Sequence, residues 1–454
     1  MKTLKFPDKF TWGVAAASYQ IEGAVNEGGR GQSVWDAFCR WDGKIWNGDS
    51  GDVACDHYHR YREDVALMRD IGVRAYRLSV AWPRVIPAGT GAVNPEGLGF
   101  YDRLVDSLLE AGITPWVTLF HWDYPLDLFH RGGWLNRDSV EWFADYTKVV
   151  VDRLSDRVQN WMTLNEPQCF VWLGHGIGTH APGLQLPPAS LLRVAHHALM
   201  AHGRAVQVIR ASAKTKPTVG WAPVGVIRYP ATDKPEDLDA ARRSMHGMTS
   251  AHLWTNTWFS DPVILGHYPE DGLKLFGKAV PKFPASDLEV MKQPLDFYGA
   301  NIYNALGVRA GANGQIEEVK REAGSPVSLY HWPVEPASLY WGPRLLQERY
   351  KLPIVITENG MATHDWISRD GKVHDPQRID FLSRYLEQLH RAISDGVDVR
   401  AFFHWSILDN FEWNEGCKHR FGLAFVDYPT QRRVLKDSAY WYRDVMAGNA
   451  LQID

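Results

Sequence analysis

The sequence predicts an α/β fold, a single (β/α)8 TIM barrel that spans residues 1–454 as one domain. Short runs of β-branched and aromatic residues alternate with longer segments of helical periodicity along the whole chain. Several of these runs are nearly all apolar, as strands that are buried on both faces are. A doubly wound sheet is the alternative, but no Gly-x-Gly-x-x-Gly follows the first strand. Strand and helix in repeated alternation therefore favour the barrel.

Eight segments have the length and composition of buried strands. They are residues 10–18, 74–80, 114–120, 160–166, 219–224, 296–303, 353–358 and 399–406. Because no linker or low-complexity tract separates them, we expect them to belong to one continuous fold.

Apolar spacing and end residues predict the helices. Between Ile379 and Ile393 apolar residues recur at intervals of three and four, Gly396 follows, and Asp375 with Pro376 is typical of an N-cap and a first helical position. Two further helices are predicted before the second and third strands. Their apolar faces are Tyr61, Val65 and Met68, ended by Gly72, and Tyr101, Leu104 and Leu108, ended by Gly112.

The chain is long for a barrel, and the excess predicts long loops. Dividing 454 residues among eight units gives about 57 residues per unit. A typical barrel of 250 residues needs roughly 31 per unit. Since the loops at the C-terminal ends of barrel strands build the active site, we expect the extra length there. Gly174, Gly176 and Gly178 alternate in one such segment, which predicts a flexible wall.

Composition excludes several classes of function. The chain carries 49 Lys and Arg against 53 Asp and Glu, a formal net charge of −4, which argues against nucleic acid or an acidic membrane surface as partner. No apolar run approaches the roughly 18 residues of a membrane helix. The first residues lack the apolar stretch of a signal peptide, and the four cysteines are too sparse for a disulfide scaffold, so we expect a cytoplasmic protein with free thiols. Twenty Trp suggest flat apolar platforms for sugars or bases.

Two carboxylates stand at the ends of two predicted strands. Glu166 lies in the sequence TLNEP and Glu358 in ITENG, and in each a Pro or Gly then turns the chain away. In a barrel both ends face one pocket, where a protonated and an ionised carboxyl can together split a glycosidic bond. The alternative is that each Glu pairs with a nearby Arg, which we would favour for one Glu alone. Two such residues on one barrel favour a catalytic pair over two structural ion pairs.

The same motifs resemble the paired signatures of the family-1 glycoside hydrolases, the β-glucosidase and β-galactosidase group. The resemblance runs from end to end and covers further motifs. These are FTWGVAAASYQIEG at 10–23, YRLS at 76–79, LFHWDYP at 119–125, WSILDNFEW at 405–413 and RFGL at 420–423.

The resemblance implies roles for residues that match the family's motifs. Glu166 matches the general acid/base and Glu358 the nucleophile, which implies retention of the β-configuration through a covalent glycosyl-enzyme. Asn165 matches the residue that holds the sugar 2-hydroxyl. Arg77 matches the guanidinium that keeps the nucleophile ionised, and Tyr303 matches the phenol that orients it.

The resemblance also implies a sugar-binding shell. Its members are Gln20, His121, Glu412 and Trp413 around the glycone, Trp405 beneath the sugar, Trp332 as the aglycone platform, and Trp122 and Asn301. The alternative for Trp122, Trp332 and Trp405 is plain core packing, and for His121 a buried structural histidine.

We therefore expect a retaining β-glucosidase that acts on small β-glucosides and cello-oligosaccharides. The same site working mainly on β-galactosides or β-fucosides, transglycosylation, and a non-catalytic sugar binder stay open as alternatives. We expect no cofactor and no metal: His57 and His59, expected at the surface or a helix cap, and His196 with His197 lack metal-ligand partners. The sequence leaves homo-oligomer formation open.

Overall fold

A computed structural model describes residues 2–453, and eight parallel strands form its central sheet. We number them β1 to β8: Thr11–Ala15, Ala75–Ser79, Thr114–Phe120, Asn160–Asn165, Thr218–Ala222, Tyr298–Asn301, Ile354–Asn359 and Val399–Trp405. The ladder runs β5, β4, β3, β2, β1, β8, β7, β6. An isolated parallel bridge between Val224 and Asn301 spans β5 and β6, where Gly225 N donates to Asn301 O at 2.8 Å. The predicted barrel is confirmed.

All eight predicted strands are present, and the differences are at their ends. The first strand ends at Ala15 rather than at residue 18, because the chain turns into a short helix at Ser18–Ile21. The sixth strand, Tyr298–Asn301, is two residues shorter than predicted at each end, and its pairing on β7 shifts register between Ile356 and Glu358. Sequence patterns predict the ends of strands less reliably than the presence of strands.

The longest helix after each strand is numbered α1 to α8. These helices are His57–Asp70, Pro95–Glu110, Ser139–Leu154, Pro188–Ser212, Pro235–His246, Ser338–Tyr350, Pro376–Ser394 and Asp437–Gly448. The predicted helices before the second and third strands are α1 and α2, and Gly72 and Gly112 follow them with positive φ. Such φ values favour glycine over residues that carry a Cβ.

Asp375 precedes α7 as predicted, but its carboxyl does not cap that helix. It accepts from Arg378 Nε at 2.8 Å and from Ser438 Oγ at 2.5 Å. Both of these bonds are made to Oδ2, and Oδ1 accepts from Ser438 N at 2.9 Å, so Arg378 and Ser438 take the oxygens that the capping hypothesis assigned to the first N–H groups of α7.

Shorter elements complete the loops. Short α-helices are Ser18–Ile21, Val34–Phe38, Trp82–Val85, Leu126–His130, Thr257–Ser260, Glu270–Phe276 and Ser286–Met291. Single turns of 3₁₀ helix are Trp46–Gly48, Gly133–Leu135, Gly277–Ala279, Ala312–Gly314 and Trp413–Glu415, and π-helical turns are Cys169–Ile177 and Asp261–Leu265. Outer strands pair Lys2–Lys5 with Ala450–Ile453, Ala305–Ala310 with Ile227–Pro230 and Ile316–Glu318, and Ala424–Asp427 with Arg432–Leu435.

Two smaller predictions are wrong. The glycine-rich segment after β4 is π-helical over Cys169–Ile177 rather than an irregular loop, and a Cβ on Gly174 would lie 2.4 Å from Ala181 O. Close packing, not flexibility, therefore explains that glycine. His57 is buried as the first residue of α1, where its Nδ1 lies 2.8 Å from an Asp64 carboxylate oxygen.

The barrel interior is filled below the C-terminal ends of the strands. Trp116 on β3 packs edge-on against Phe297 and Phe403, with ring centroids 5.6 and 5.1 Å away. This aromatic layer gives the pocket above it a solid base. Among residues 2–453, no helix combines the length and apolar character that crossing a membrane requires.

Candidate active site

A pocket of about 650 Å³ opens at the C-terminal ends of the barrel strands, a size typical of small-molecule sites. Ten of the thirteen predicted site residues line it: His121, Trp122, Glu166, Asn301, Tyr303, Trp332, Glu358, Trp405, Glu412 and Trp413. The other three, Gln20, Arg77 and Asn165, are buried and hydrogen-bonded to those lining residues. The structure therefore brings the whole predicted set together.

Local backbone irregularities aim the two carboxyl groups. Glu166 follows β4 directly and has a φ of 42°, and its N–H donates to Ala222 O at 2.8 Å. Glu358 lies within β7, where the ladder with β6 shifts register after Ile356. Left-handed residues and strand irregularities of this kind concentrate at functional sites because they redirect side chains.

Two donors stabilise the ionised form of Glu358. Arg77 Nη1 donates to its Oε1 at 2.5 Å, and the Tyr303 hydroxyl donates to its Oε2 at 2.6 Å. Arg77 reaches across from β2, and its Nε is fixed by Thr118 Oγ1 at 3.2 Å. Because a buried ion pair needs such supporting bonds, this geometry makes a carboxylate on Glu358 tolerable.

Glu166 has weaker partners. Its Oε1 accepts from Asn301 Nδ2 at 3.0 Å, and its Oε2 accepts from the Cys169 thiol at 3.3 Å. Neither partner carries a positive charge. Burial is the largest effect on the Glu166 pKa and raises it, and the charge of Glu358 raises it further.

The two carboxyl groups therefore differ in how readily each binds a proton. Burial raises the pKa of Glu358 as well, but its next influence is the Arg77 guanidinium, which lowers that pKa. The pair titrates as a unit, and Glu166 takes its first proton. The surroundings therefore favour a proton on Glu166 and a negative charge on Glu358.

Asn165 links these groups to the pocket wall. Its Oδ1 accepts from Arg77 Nη2 at 2.6 Å, and its Nδ2 lies 3.0 Å from His121 Nε2. Burial, followed by the charge of Arg77, lowers the pKa of His121. A neutral His121 accepts at Nε2, and its Nδ1–H is then left to serve as a donor.

Aromatic rings surround the space above the carboxyls. His121 stacks near Trp405 and Trp413, with centroids 5.7 and 5.9 Å away. Trp122 lies 4.4 Å from the Trp413 ring, and its indole N–H donates to Asn165 O at 3.0 Å. These Trp residues line the pocket, so core packing alone does not describe them.

Trp332 forms the outer wall of the pocket. It is partly buried and stacks on Tyr330, with ring centroids 4.5 Å apart and an interplanar angle of 14°. Tyr303 lies 5.3 Å away on its inner side. The platform is thus continuous with the ring that orients Glu358.

Gln20 and Glu412 form a polar corner of the pocket. Gln20 Nε2 donates to Phe411 O at 2.9 Å and to Glu412 Oε2 at 3.2 Å. Burial, and then the charges of Glu358 and Glu166, raise the pKa of Glu412. A hydroxyl group is a suitable ligand for this corner, because it can donate to and accept from a carboxyl group in either protonation state.

Sequence reasoning missed several residues that contact the site. They are Thr118, Cys169, Arg228, Tyr330 and Thr357. Cys169 could have been found, because it lies three positions after Glu166 and hence about one helical turn away. Arg228 belongs to no motif, and only the fold brings it to the pocket.

Comparisons with known proteins agree with this geometry. The model of glycosyl hydrolase family 1 matches residues 2–451. Beta-glucosidase A of Thermotoga maritima is 43% identical over all of both chains, and a bifunctional beta-D-glucosidase/beta-D-fucosidase of Bifidobacterium breve is 41% identical over 99% of each. A solved structure of a family 1 β-glucosidase from T. maritima superposes over all of both chains with a TM-score of 0.91 at 42% identity. The chain belongs to glycosyl hydrolase family 1.

Proposed function

We propose that this chain is a retaining β-glucosidase in which Glu358 is the nucleophile and Glu166 is the general acid/base. Its substrates are small β-glucosides and cello-oligosaccharides, cleaved at the terminal non-reducing glucosyl residue. The unequal surroundings of the two carboxyls carry the proposal: Arg77 and Tyr303 both donate to Glu358, whereas Glu166 has no cationic partner. Relatives named as β-glucosidases support the substrate class.

In the first step, a Glu358 oxygen attacks the anomeric carbon from the α face. The bond from that carbon to the glycosidic oxygen breaks, and Glu166 gives its proton to the leaving oxygen. The aglycone departs as a neutral alcohol, and glucose remains joined to Glu358 as an α-linked ester. Asn165, held by Arg77 at 2.6 Å, is placed to bind the sugar 2-hydroxyl, a contact that strengthens in the transition state.

In the second step, Glu166 acts as a base. Forming the ester removes the negative charge of Glu358, which is one of the two largest causes of the high Glu166 pKa. The pKa of Glu166 therefore falls once the intermediate has formed, and the carboxylate takes a proton from water. That water attacks the β face, Glu358 leaves as a carboxylate, and β-glucose is released.

The remaining predicted residues bind the glycone and aglycone. Trp405 supports the apolar face of the sugar, and Gln20, His121 and Glu412 bind its hydroxyls. Trp413 and Trp122 complete this subsite with Asn301, and Trp332 holds the aglycone. These side chains are fixed before substrate arrives, because Gln20 contacts Glu412 and His121 contacts Asn165. Less conformational entropy is therefore lost when the sugar binds.

A panel of para-nitrophenyl β-glycosides tests the reaction and the glycone together. We expect the glucoside to have the highest kcat/KM, followed by the fucoside and then the galactoside. The relative named as a bifunctional glucosidase/fucosidase supports β-fucosides as second substrates. No release of nitrophenol from the glucoside would refute the proposal, and a galactoside preference would reassign the glycone. Transfer products formed with added alcohol would measure transglycosylation.

We also propose that the enzyme works in a reducing compartment such as the cytoplasm. The four cysteines, Cys39, Cys55, Cys169 and Cys417, are all free. In an oxidising compartment the partly exposed thiols of Cys39 and Cys417 would be more open to oxidation than the buried Cys55 and Cys169. A loss of titratable thiols under mild oxidant, restored by reductant, is the expected result.

A further inference from the structure

Arg228 lies on the wall of the pocket, outside the sugar subsite. It sits on the outer strand Ile227–Pro230, which pairs in parallel with Ala305–Ala310 beyond the end of β6. Its neighbours in the pocket lining include Val226, Trp254 and Leu306. No motif contains Arg228, and the reaction proposed above does not use it.

The Arg228 guanidinium lacks a close anionic partner. Its side chain is 22% exposed, and within residues 2–453 it donates no hydrogen bond. The nearest carboxylate is Glu318 at 4.0 Å, on a side chain that is 69% exposed. Since a partly desolvated cation without hydrogen bonds is unfavourable, an anion arriving in the pocket would gain a charge-assisted contact.

Burial lowers the pKa of Arg228, and the charge of Glu318 raises it. The guanidinium in turn lowers the pKa of His252, after burial has lowered it.

Strand geometry gives the distance of Arg228 from the reaction. Val224 bridges to Asn301, whose amide donates to Glu166, and Arg228 follows Val224 by four residues. At about 3.3 Å per residue, the Arg228 backbone lies at most ~13 Å outward of that level. The far end of a long aromatic aglycone falls within this range.

The surroundings of Arg228 suit an aromatic ring. Trp254, Val226 and Leu306 give an apolar lining, and Trp254 N donates to His252 Nδ1 at 3.1 Å. Trp172 packs against that histidine, with ring centroids 6.0 Å apart. We propose that Arg228 forms a subsite for aromatic aglycones that end in a carboxylate, with hydroxycinnamates as the fitting class. This inference rests on the β-glucosidase activity proposed above.

The test compares two substrates that differ only in the distal charge. One is the β-glucoside of para-hydroxycinnamate, linked through its phenol oxygen, and the other is the methyl ester of the same compound. In Arg228→Gln we expect the ratio of kcat/KM for the carboxylate over the ester to fall roughly two- to fivefold, mostly through KM. Taking the ratio cancels differences in leaving group and any general loss of activity.

Two variants sharpen the result. Glu318→Gln removes the competing carboxylate, so the ratio should rise. Arg309→Gln is the matched control: Arg309 lies on the paired strand, is 60% exposed and is bound to Glu317 at 3.0 Å, so the same charge is lost away from the pocket. We expect Arg309→Gln to leave the ratio unchanged.

An unchanged ratio in Arg228→Gln, or an equal fall in Arg309→Gln, would overturn the proposal. If Arg228→Gln fails to fold, the salt dependence of the wild-type ratio decides: a decrease with ionic strength supports the subsite, and a constant ratio contradicts it. A wild-type enzyme that cleaves para-nitrophenyl β-glucoside but neither cinnamate substrate would overturn only the subsite, whereas inactivity on all three would refute the β-glucosidase activity itself, so the two failures are distinguishable.

Discussion

At the scale of single residues, each oxygen of Glu166 has one protein partner, and the two partners differ chemically. Asn301 Nδ2 can only donate to Oε1, because Asn301 Oδ1 is already taken by Thr357 Oγ1 at 2.6 Å. Oε1 thus remains an acceptor in both protonation states. The Cys169 sulfur beside Oε2 can donate or accept. The proton of neutral Glu166 therefore lies on Oε2.

Replacing Cys169 with Ala should shift the pH–rate profile. The thiol lowers the pKa of Glu166 by donating to its ionised form, so removing it raises that pKa. The basic limb of kcat/KM should move to higher pH by roughly half a unit. Cys169→Ser keeps a donor and should move the limb less. A basic limb that moves to lower pH in Cys169→Ala would contradict this role.

At the scale of elements, β7 has to deliver Glu358 while packing tightly against β8. Its ladders to both neighbours shift register near Glu358, and Gly360 follows immediately. A Cβ on Gly360 would lie 1.9 Å from Trp405 O, a backbone atom that cannot move aside. The glycine therefore allows the two strand ends to approach.

Gly360→Ala should lower both stability and activity. Relieving the contact with Trp405 O requires a backbone shift two residues from Glu358, at a cost of about 1–3 kcal/mol. The melting temperature and kcat should both fall. Gly448→Ala is the control, since a Cβ there meets nothing within 4 Å at the end of α8. Equal effects in the two variants would contradict the packing explanation.

The elements also show what sequence can predict. The buried strands were predictable because each is a short apolar run in the repeated strand–helix pattern of the barrel. Both carboxyl groups were predictable because each lies at the end of such a run. The partners of the Asp375 carboxyl were not predictable, because Ser438, which binds it, lies more than sixty positions away. The need for Gly174 likewise arises from the packing of Ala181 against it, and the place of Arg228 in the pocket arises from a strand outside the barrel. Contacts set by tertiary structure leave no local pattern.

At the scale of the whole molecule, the buried acidic site reduces stability as the pH rises. The folded state raises the pKa of Glu166, so between its unfolded pKa, about 4.3, and the higher folded value the native state binds more protons than the unfolded state. Unfolding free energy therefore decreases with pH across this window. The site thus has a cost in stability that a neutral side chain of the same shape would avoid.

Glu166→Gln should be nearly inactive toward unactivated glucosides and more stable than the wild type. The gain should be small near pH 4 and grow as the pH rises to 8, reaching roughly 2–4 °C in melting temperature. Thermal unfolding at several pH values measures it. A stability difference that stays constant with pH, or shrinks as pH rises, would contradict the raised pKa of Glu166.

The central claim is the division of labour between Glu166 and Glu358, and azide rescue with an activated glucoside tests it most directly. In Glu166→Ala the covalent intermediate still forms on Glu358, so azide should attack its β face and give the β-glucosyl azide. In Glu358→Ala azide should occupy the vacated space and displace the aglycone directly, giving the α-glucosyl azide. The anomeric configuration of each product, read by NMR, decides the assignment. The opposite pairing of variants and anomers would contradict it.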